Sequence, residues 1–367
     1  MLRYKKPSKA QKIQPMTLRI AHVNVSKDYR GGERQTELLA RELEKADVQQ
    51  ILVARRGAPL VERCQNIDLE IRTVSGNPLT VAMAIKGVDL VHVHDGRSVY
   101  GAYLRSLISK VPYIATRRIN NPIRNHHLAH RVYQRAASVV AVASKVAETV
   151  KNFDSEVNVQ VIYSGSSGFS VNQKQSDLIK NSFPGKFLVG NIGALESQQK
   201  GQEYIIEVAL DLQHSHPDIQ FLLIGGGKDE KMLKKSAVTL KNIFFTGFVE
   251  NVGDYLAALD LFILPSNKEG IGGILIDAME QKVPIIASRV GGIPEIVHNE
   301  KNGILIDPKS PDQLKAAILR LHASEQQRRA LGSQGYKLAK NFTANVMAQK
   351  YLDLYRSTVK QKLNHDH

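Results

Sequence analysis

The segment 264–279, LPSNKEGIGGILIDAM, combines residue types that could do chemistry. A loop with Glu269, Gly270, Gly272 and Gly273 runs into a stretch of helical character that carries Asp277. Glycines at a helix start leave backbone amides open to an anion, and the helix dipole adds partial positive charge there. Glu269 and Asp277 stand eight residues apart, which on a helix is about two turns and nearly the same face. Carboxylates form the stronger, charge-assisted hydrogen bonds. One of this pair suits the hydroxyls of a sugar and the other the diol of a ribose. The plainer alternative is a capped helix with two surface acids.

Other candidates are weaker. Gly31-Gly32 and Gly225-Gly226-Gly227 each follow a strand-like run and could cradle a phosphate, but neither fits the dinucleotide fingerprint or a P-loop. His92 and His94 flank a strand end beside Asp95. A metal centre needs a third ligand, which nothing nearby in the sequence supplies, so cleft-lining or core histidines are expected and no metal. No Asp-x-Asp pair is present. The single cysteine, Cys64, excludes a disulfide framework.

These residues need elements to hold them. Residues 18–25 (LRIAHVNV), 50–54, 88–93, 112–116 and 138–143 read as buried strands alternating with helices, and 29–33 as a tight loop before a helix from 36 to 45. Around 164–181 the composition turns to Ser, Gly, Asn and Gln, the best linker candidate. The alternation then restarts with strands at 187–192, 219–224, 243–246, 261–264 and 284–287, and the chain ends in helices from 311 to 363. Such alternation indicates an α/β fold with parallel sheets covered on both faces. At 367 residues two domains are expected, with a cleft between them. The division is a basic tail over 1–16, a first domain over 17–170, a linker over 171–183, a second domain over 184–343, and a final helix over 344–367 able to cross back.

The charge is uneven. The chain carries 50 Lys and Arg against 35 Asp and Glu, net +15. Residues 1–170 hold 26 against 14, net +12, and the rest hold 24 against 21, net +3. Nine basic residues and no acid lie between Gly96 and Ala147. A solvated basic face would explain this, as would a surface that meets an anionic acceptor or membrane. No helix-turn-helix, zinc-ligand or RNP-type pattern supports nucleic acid. Residues 1–15 lack the apolar core of a secretory signal, and no apolar run reaches membrane-spanning length. A cytoplasmic protein is expected, peripheral on the inner membrane.

Nearly the whole chain resembles glycosyltransferase family 4, whose GT-B fold sets two Rossmann-like, doubly wound parallel-sheet domains across a central cleft. The likeness is most specific over 264–308, through the Glu-x7-Asp segment, VGGIPE at 290–295 and NGILIDP at 302–308. IGAL at 192–195, Lys200-Gly201, FLLIG at 221–225, TGFV at 246–249 and the loop RGGERQ at 30–35 support it. The last looks like the first loop of bacterial envelope-sugar transferases. The resemblance implies that Glu269 contacts the donor sugar and Asp277 the ribose. It implies that amides near Gly272, Gly273 and Ile274 cradle the diphosphate with Lys200, that Gly31 and Gly32 close over the donor, and that Val249 faces the base. Glu269, Lys200 and Arg118 become the catalytic candidates; His94, Arg97, Arg117, Arg118 and Arg124 become the acceptor or anion contacts. Three positions depart from the family: Asp277 stands for the usual Glu, Ala194 for a frequent Arg, and Arg117 or Arg118 for a His.

The function so implied is a retaining, metal-independent transfer of a sugar from a nucleotide sugar, expected to be a UDP-sugar, to a growing bacterial envelope glycan. Lipopolysaccharide core is the first choice of acceptor, no further cofactor is expected, and the anionic glycan or glycolipid would be the partner. A nucleotide-sugar epimerase and a non-catalytic sugar-binding module are the alternatives. A dinucleotide-dependent dehydrogenase fits neither glycine loop.

Overall fold

The structure, a computed structural model, describes residues 17–365, so the basic tail expected over 1–16 lies outside the described residues. Two parallel sheets organise the chain. The first contains β1 (Leu18–Asn24), β2 (Val48–Arg55), β3 (Glu70–Val74), β4 (Leu90–Val93), β5 (Tyr113–Arg117), β6 (Ser138–Ala141) and β7 (Val159–Val161), in the order β3-β2-β1-β4-β5-β6-β7. The second contains β8 (Phe187–Ile192), β9 (Ile219–Ile224), β10 (Ile243–Gly247), β11 (Leu261–Leu264), β12 (Ile285–Ser288) and β13 (Ile304–Ile306), in the order β10-β9-β8-β11-β12-β13. Both orders reverse beside the first strand of the sheet, where loops diverge and a crevice opens. Central strands such as β9 and β11 are buried along their whole length, as sheets covered by helices on both faces require.

The two sheets present their C-terminal strand ends to each other. Arg118, just beyond β5, meets Gly270, beyond β11, so closely that a Cβ on Gly270 would fall 2.1 Å from the Arg118 carbonyl oxygen. Ala143 beyond β6 touches Gly292 beyond β12 in the same way. Glu295 accepts hydrogen bonds from the Ser144 amide (2.8 Å), the Ser144 hydroxyl (2.7 Å) and the Tyr163 hydroxyl (3.0 Å). At the rim Arg30 pairs with Glu196 at 3.0 Å.

The helix Ala344–His365 packs on the first sheet, with Met347, Tyr351, Leu352 and Tyr355 among Ile20, Leu39, Leu90 and Ile114. Among the described residues no helix is long and apolar enough to cross a membrane.

Two local expectations are corrected. Residues 29–33 are not a free loop: the helix begins at Gly31 and runs to Leu43, because Glu33 accepts from the Arg30 amide and secures the first turn. The supposed linker 171–183 contains the helix Gln173–Asn181, capped by Asn172 and packed on the helix Val252–Ala258. Its polar composition reflects a one-sided, solvent-facing helix rather than a flexible tether.

Asp277 is one of the links between the halves. Its carboxylate accepts the Ser167 amide at 2.5 Å from deep burial. Removal from water pushes this carboxyl up to about 7, against the opposing pull of the Ser167 hydrogen bonds. An unfolded Asp titrates near ~4. Between those values the unfolded chain has released its proton while the folded chain keeps it. Asp277 therefore subtracts from stability as pH rises from about 4 to 7, and the whole penalty stands above that window. Asp277→Asn keeps an acceptor for Ser167 and removes the charge. Denaturant unfolding should find the variant more stable than wild type at pH 8 by up to about 4 kcal/mol, with the gap narrowing towards pH 5. A gap independent of pH would contradict this account.

Candidate active site

Three segments build the cleft from the second sheet. The chain leaves β11 through Pro265 and turns at Gly272, whose φ of 71° lies in the left-handed region that favours glycine. Any Cβ at Gly272 would also press on Leu275 at 3.0 Å. The helix Gly273–Glu280 starts there, with its first amides turned to the cleft end of the strand. Beside it Glu269 is held by the Lys200 ammonium at 2.6 Å and the Ser266 hydroxyl at 2.9 Å. Lys200 closes the short helix Ser197–Lys200 beyond β8, and Gly201 lets that turn approach the Pro265 carbonyl. Glu269 and Lys200, 69 positions apart in the sequence, thus form one ion pair next to Gly270, Gly272 and Gly273.

The other sequence-derived donor residues are placed as follows. Ile274 lies in the first turn of the Gly273–Glu280 helix, partly buried. Val249 follows β10 and packs on the core cluster of the second sheet. Asp277 is engaged with Ser167 rather than with Glu269, so the two carboxylates serve different contacts here. Gly31 and Gly32 occupy the first turn of their helix, and a Cβ on Gly32 would lie 3.5 Å from Arg118 Cδ. The triple glycine 225–227 is explained by packing. A Cβ at Gly225 would strike the Gly193 carbonyl at 2.1 Å and one at Gly227 the Leu195 carbonyl at 2.4 Å.

On the first sheet, Arg117 ends β5 and donates to the Asn121 carbonyl, while Arg118 turns its guanidinium back under Gly32. Arg97 and Arg124 are exposed, with Arg97 at the start of the helix Ser98–Ser109. His94 is buried and faces no surface, so it does not share the open face of Arg97 and Arg124. It belongs to a cluster that sequence reasoning had half seen. β1 pairs with β4 so that His22 lies level with His92. His22, His92 and His94 have ring nitrogens within 4.8 Å of one another.

This cluster supplies, from 70 positions away, the third histidine that the neighbourhood of His92 lacks, but hydrogen bonds already use much of it. His92 Nδ1 meets the Tyr355 hydroxyl at 2.5 Å and His92 Nε2 the Thr116 hydroxyl at 2.7 Å, which in turn meets the Tyr351 hydroxyl at 2.9 Å. His22 Nδ1 faces His94 Nε2 at 3.1 Å. Desolvation drives His92 and His94 well below the usual imidazole range and His22 to about 4, so all three are neutral imidazoles near neutral pH. The arrangement is a hydrogen-bonded relay tying the final helix to the cleft floor. It could ligate a metal through His92 only by giving up one of that ring's bonds.

Sequence reasoning missed His22, Ser167, Glu196 and Glu295 as cleft residues. Only Glu295 carried a signal, as the last residue of VGGIPE. The others become visible once strand order and the approach of the sheets are known.

Comparison with known proteins agrees with this geometry. Residues 29–166 match the family model described as Glycosyltransferase Family 4, and residues 171–338 the one described as Glycosyl transferases group 1. An uncharacterized glycosyltransferase of Methanocaldococcus jannaschii is 28% identical over 274 residues, 70% of this chain and 72% of that protein. A lipopolysaccharide core biosynthesis glycosyltransferase of Rhizobium meliloti is 26% identical over 164 residues, 44% of this chain and 47% of that protein. The crystal structure of Anabaena HepE in complex with UDP-glucose superposes with a TM-score of 0.82 at 18% identity, covering 93% of this chain and all of that one. With family models matched on both halves and the fold shared end to end, the chain belongs to glycosyltransferase family 4 and has the GT-B fold.

Proposed function

We propose that this glycosyltransferase moves a sugar from a nucleotide-sugar donor, a UDP-sugar first, to a hydroxyl of a bacterial envelope glycan, with lipopolysaccharide core as the leading acceptor. The observation that carries the donor side is the Lys200–Glu269 pair beside the glycine-lined helix start. The diphosphate would take the amides of Gly272, Gly273 and Ile274. Lys200 would supply positive charge as the leaving group departs, and Glu269 would hold sugar hydroxyls. The backbone of Arg118 borders the same loop from the first sheet, with its guanidinium buried behind it. Retention follows if the departing diphosphate itself receives the proton of the incoming hydroxyl on the face it leaves. HepE and the Rhizobium meliloti protein lend the UDP-sugar and the lipopolysaccharide core to this reading.

The acceptor side rests on the first domain's surface. The helices Pro78–Ala84, Ser98–Ser109 and His127–Arg135 pack in a row and expose Leu79, Met83, Leu107, Ile108 and Leu128. Exposed Arg97, Arg124 and Arg131 accompany them. Apolar tips among cations suit the interface of an anionic membrane, which would bring the enzyme to a lipid-linked acceptor on its cytoplasmic face.

A screen of nucleotide sugars for release of nucleoside diphosphate tests the donor reading. Turnover of one donor is expected, with Lys200→Ala and Glu269→Gln each lowering kcat/KM by about 10²–10³. No release from any donor, or full activity in both variants, would reject it. Because amides and Lys200 carry the phosphate charge, EDTA should leave the rate within about twofold. Loss of activity that Mg²⁺ or Mn²⁺ restores would show a required metal. Replacing Arg97, Arg124 and Arg131 together by Ala should weaken cosedimentation with phosphatidylglycerol vesicles by roughly two orders of magnitude at low salt. Unchanged partitioning would remove the membrane assignment.

A further inference from the structure

Arg118 is unusual among the described arginines. Nε, Nη1 and Nη2 are all closed off from solvent and none has a hydrogen-bond partner. At Arg34, Arg105 and Arg117 only Nε is both buried and without a partner. A guanidinium offers five N–H donors and stays charged. Burying it with no partner carries a desolvation penalty that a fold does not accept for packing alone.

The surroundings do not neutralise it. Glu33 is the carboxylate whose field acts on Arg118, but it forms no hydrogen bond with it and is occupied by the Arg30 amide. Burial keeps the Tyr351 and Tyr355 phenols protonated and His92 and His94 uncharged. No hydrogen-bond acceptor reaches it either. The helix Gly31–Leu43 begins over the Arg118 side chain, and the buried ring nitrogens His22 Nε2 and His94 Nδ1 have no partner; because the His22–His94 hydrogen bond uses one N–H, one of these two is a donor and the other an acceptor. Lys200, the cation on the opposite wall, is already matched by Glu269. The unmatched positive charge therefore lies on the first-sheet side, behind the Arg118 backbone that meets Gly270.

We propose that Arg118 is the recognition group for an acidic sugar: the cleft takes a sugar bearing a carboxylate or a phosphate, whose oxygens pair with the guanidinium. A neutral hydroxyl would satisfy some N–H groups and leave the buried charge unmatched, whereas an anion answers both. This rests on the nucleotide-sugar reading above and deepens it by naming the substrate class. The anion belongs either to the transferred sugar, as in a uronic acid, or to a phosphorylated acceptor sugar.

Calorimetric titration of wild type and Arg118→Met separates the cases. UDP, UDP-glucose and UDP-glucuronate form the donor arm. Glucose and glucose 6-phosphate, added with UDP present, form the acceptor arm. In one arm the acidic member should bind about 10- to 100-fold more tightly than the neutral one, and Arg118→Met should erase that preference while leaving UDP affinity unchanged. No preference in either arm, or a preference that survives in the variant, overturns the proposal. So does a loss of UDP affinity in step with the sugars, which would assign Arg118 to the diphosphate and leave the donor reading intact. Absence of any UDP binding would remove both. Thermal unfolding without ligand gives a second readout. A Tm for Arg118→Met equal to or above wild type supports a binding role, and a Tm lower by several degrees would make Arg118 structural and overturn the proposal.

Discussion

No side chain fits between the carbonyl of Arg118 and the backbone of Gly270, and the geometry of the cleft depends on that contact. It sets the end of β5 against the end of β11, so the residues just past each strand become neighbours. Gly292 against Ala143 repeats the arrangement one strand further along. With two such contacts the sheets are fixed edge to edge, and Glu295, Asp277 and Glu196 each reach a partner on the opposite half. A rigid scaffold placing loops in this way is how α/β sheets make sites at their C-terminal edges.

Burial has consequences for charge, at that junction and in the first domain. Three neutral histidines and one carboxyl raised to about 7 lie within the same pair of domains. Their effects on stability oppose each other. The histidines bind protons only when the chain unfolds, so they add stability as pH rises towards about 6.5, while Asp277 removes it as pH rises towards 7. The Asp277→Asn comparison isolates the second effect because the histidines are common to both proteins. Both effects come from exclusion of water, at the contact between the halves for Asp277 and beneath the final helix for the histidines.

Much of the scaffold was legible in the sequence. Central strands such as β8, β9 and β11 are apolar runs broken only by the polar Asn191 and Gln220, as burial on two faces demands. β3, β7 and β13 escaped because they are edge strands of three to five residues, and β3 mixes Glu70 and Arg72 with its apolar positions. The helix Gln173–Asn181 was hidden by polar composition, and Gly31-Gly32 read as a loop because glycine in a first helical turn gives no helical signal. In the site, Glu269 and its glycines could be read because they are neighbours in sequence. Family likeness implied that Lys200 serves the diphosphate, and the geometry adds its contact with Glu269. His22 and Ser167 could not be read at all, since each acquires its meaning from a strand or loop about 70 or more positions away.

The same limit applies to charge. A count of residues assigns the first domain its surplus and suggests a surface, and for Arg97, Arg124 and Arg131 a surface is where they lie. Arg118 adds one unit to that count, yet its guanidinium is shut away from water and unpaired. Exposed cations act through a screened field and contribute about 1 kcal/mol each near an anionic membrane. A single desolvated guanidinium is screened far less and discriminates between ligands by whether they bring a negative oxygen to it. The basic character of this domain therefore has two parts that act at different ranges. On the proposals above, the outer part would gather the enzyme to an anionic surface, and the inner one would select what enters the cleft.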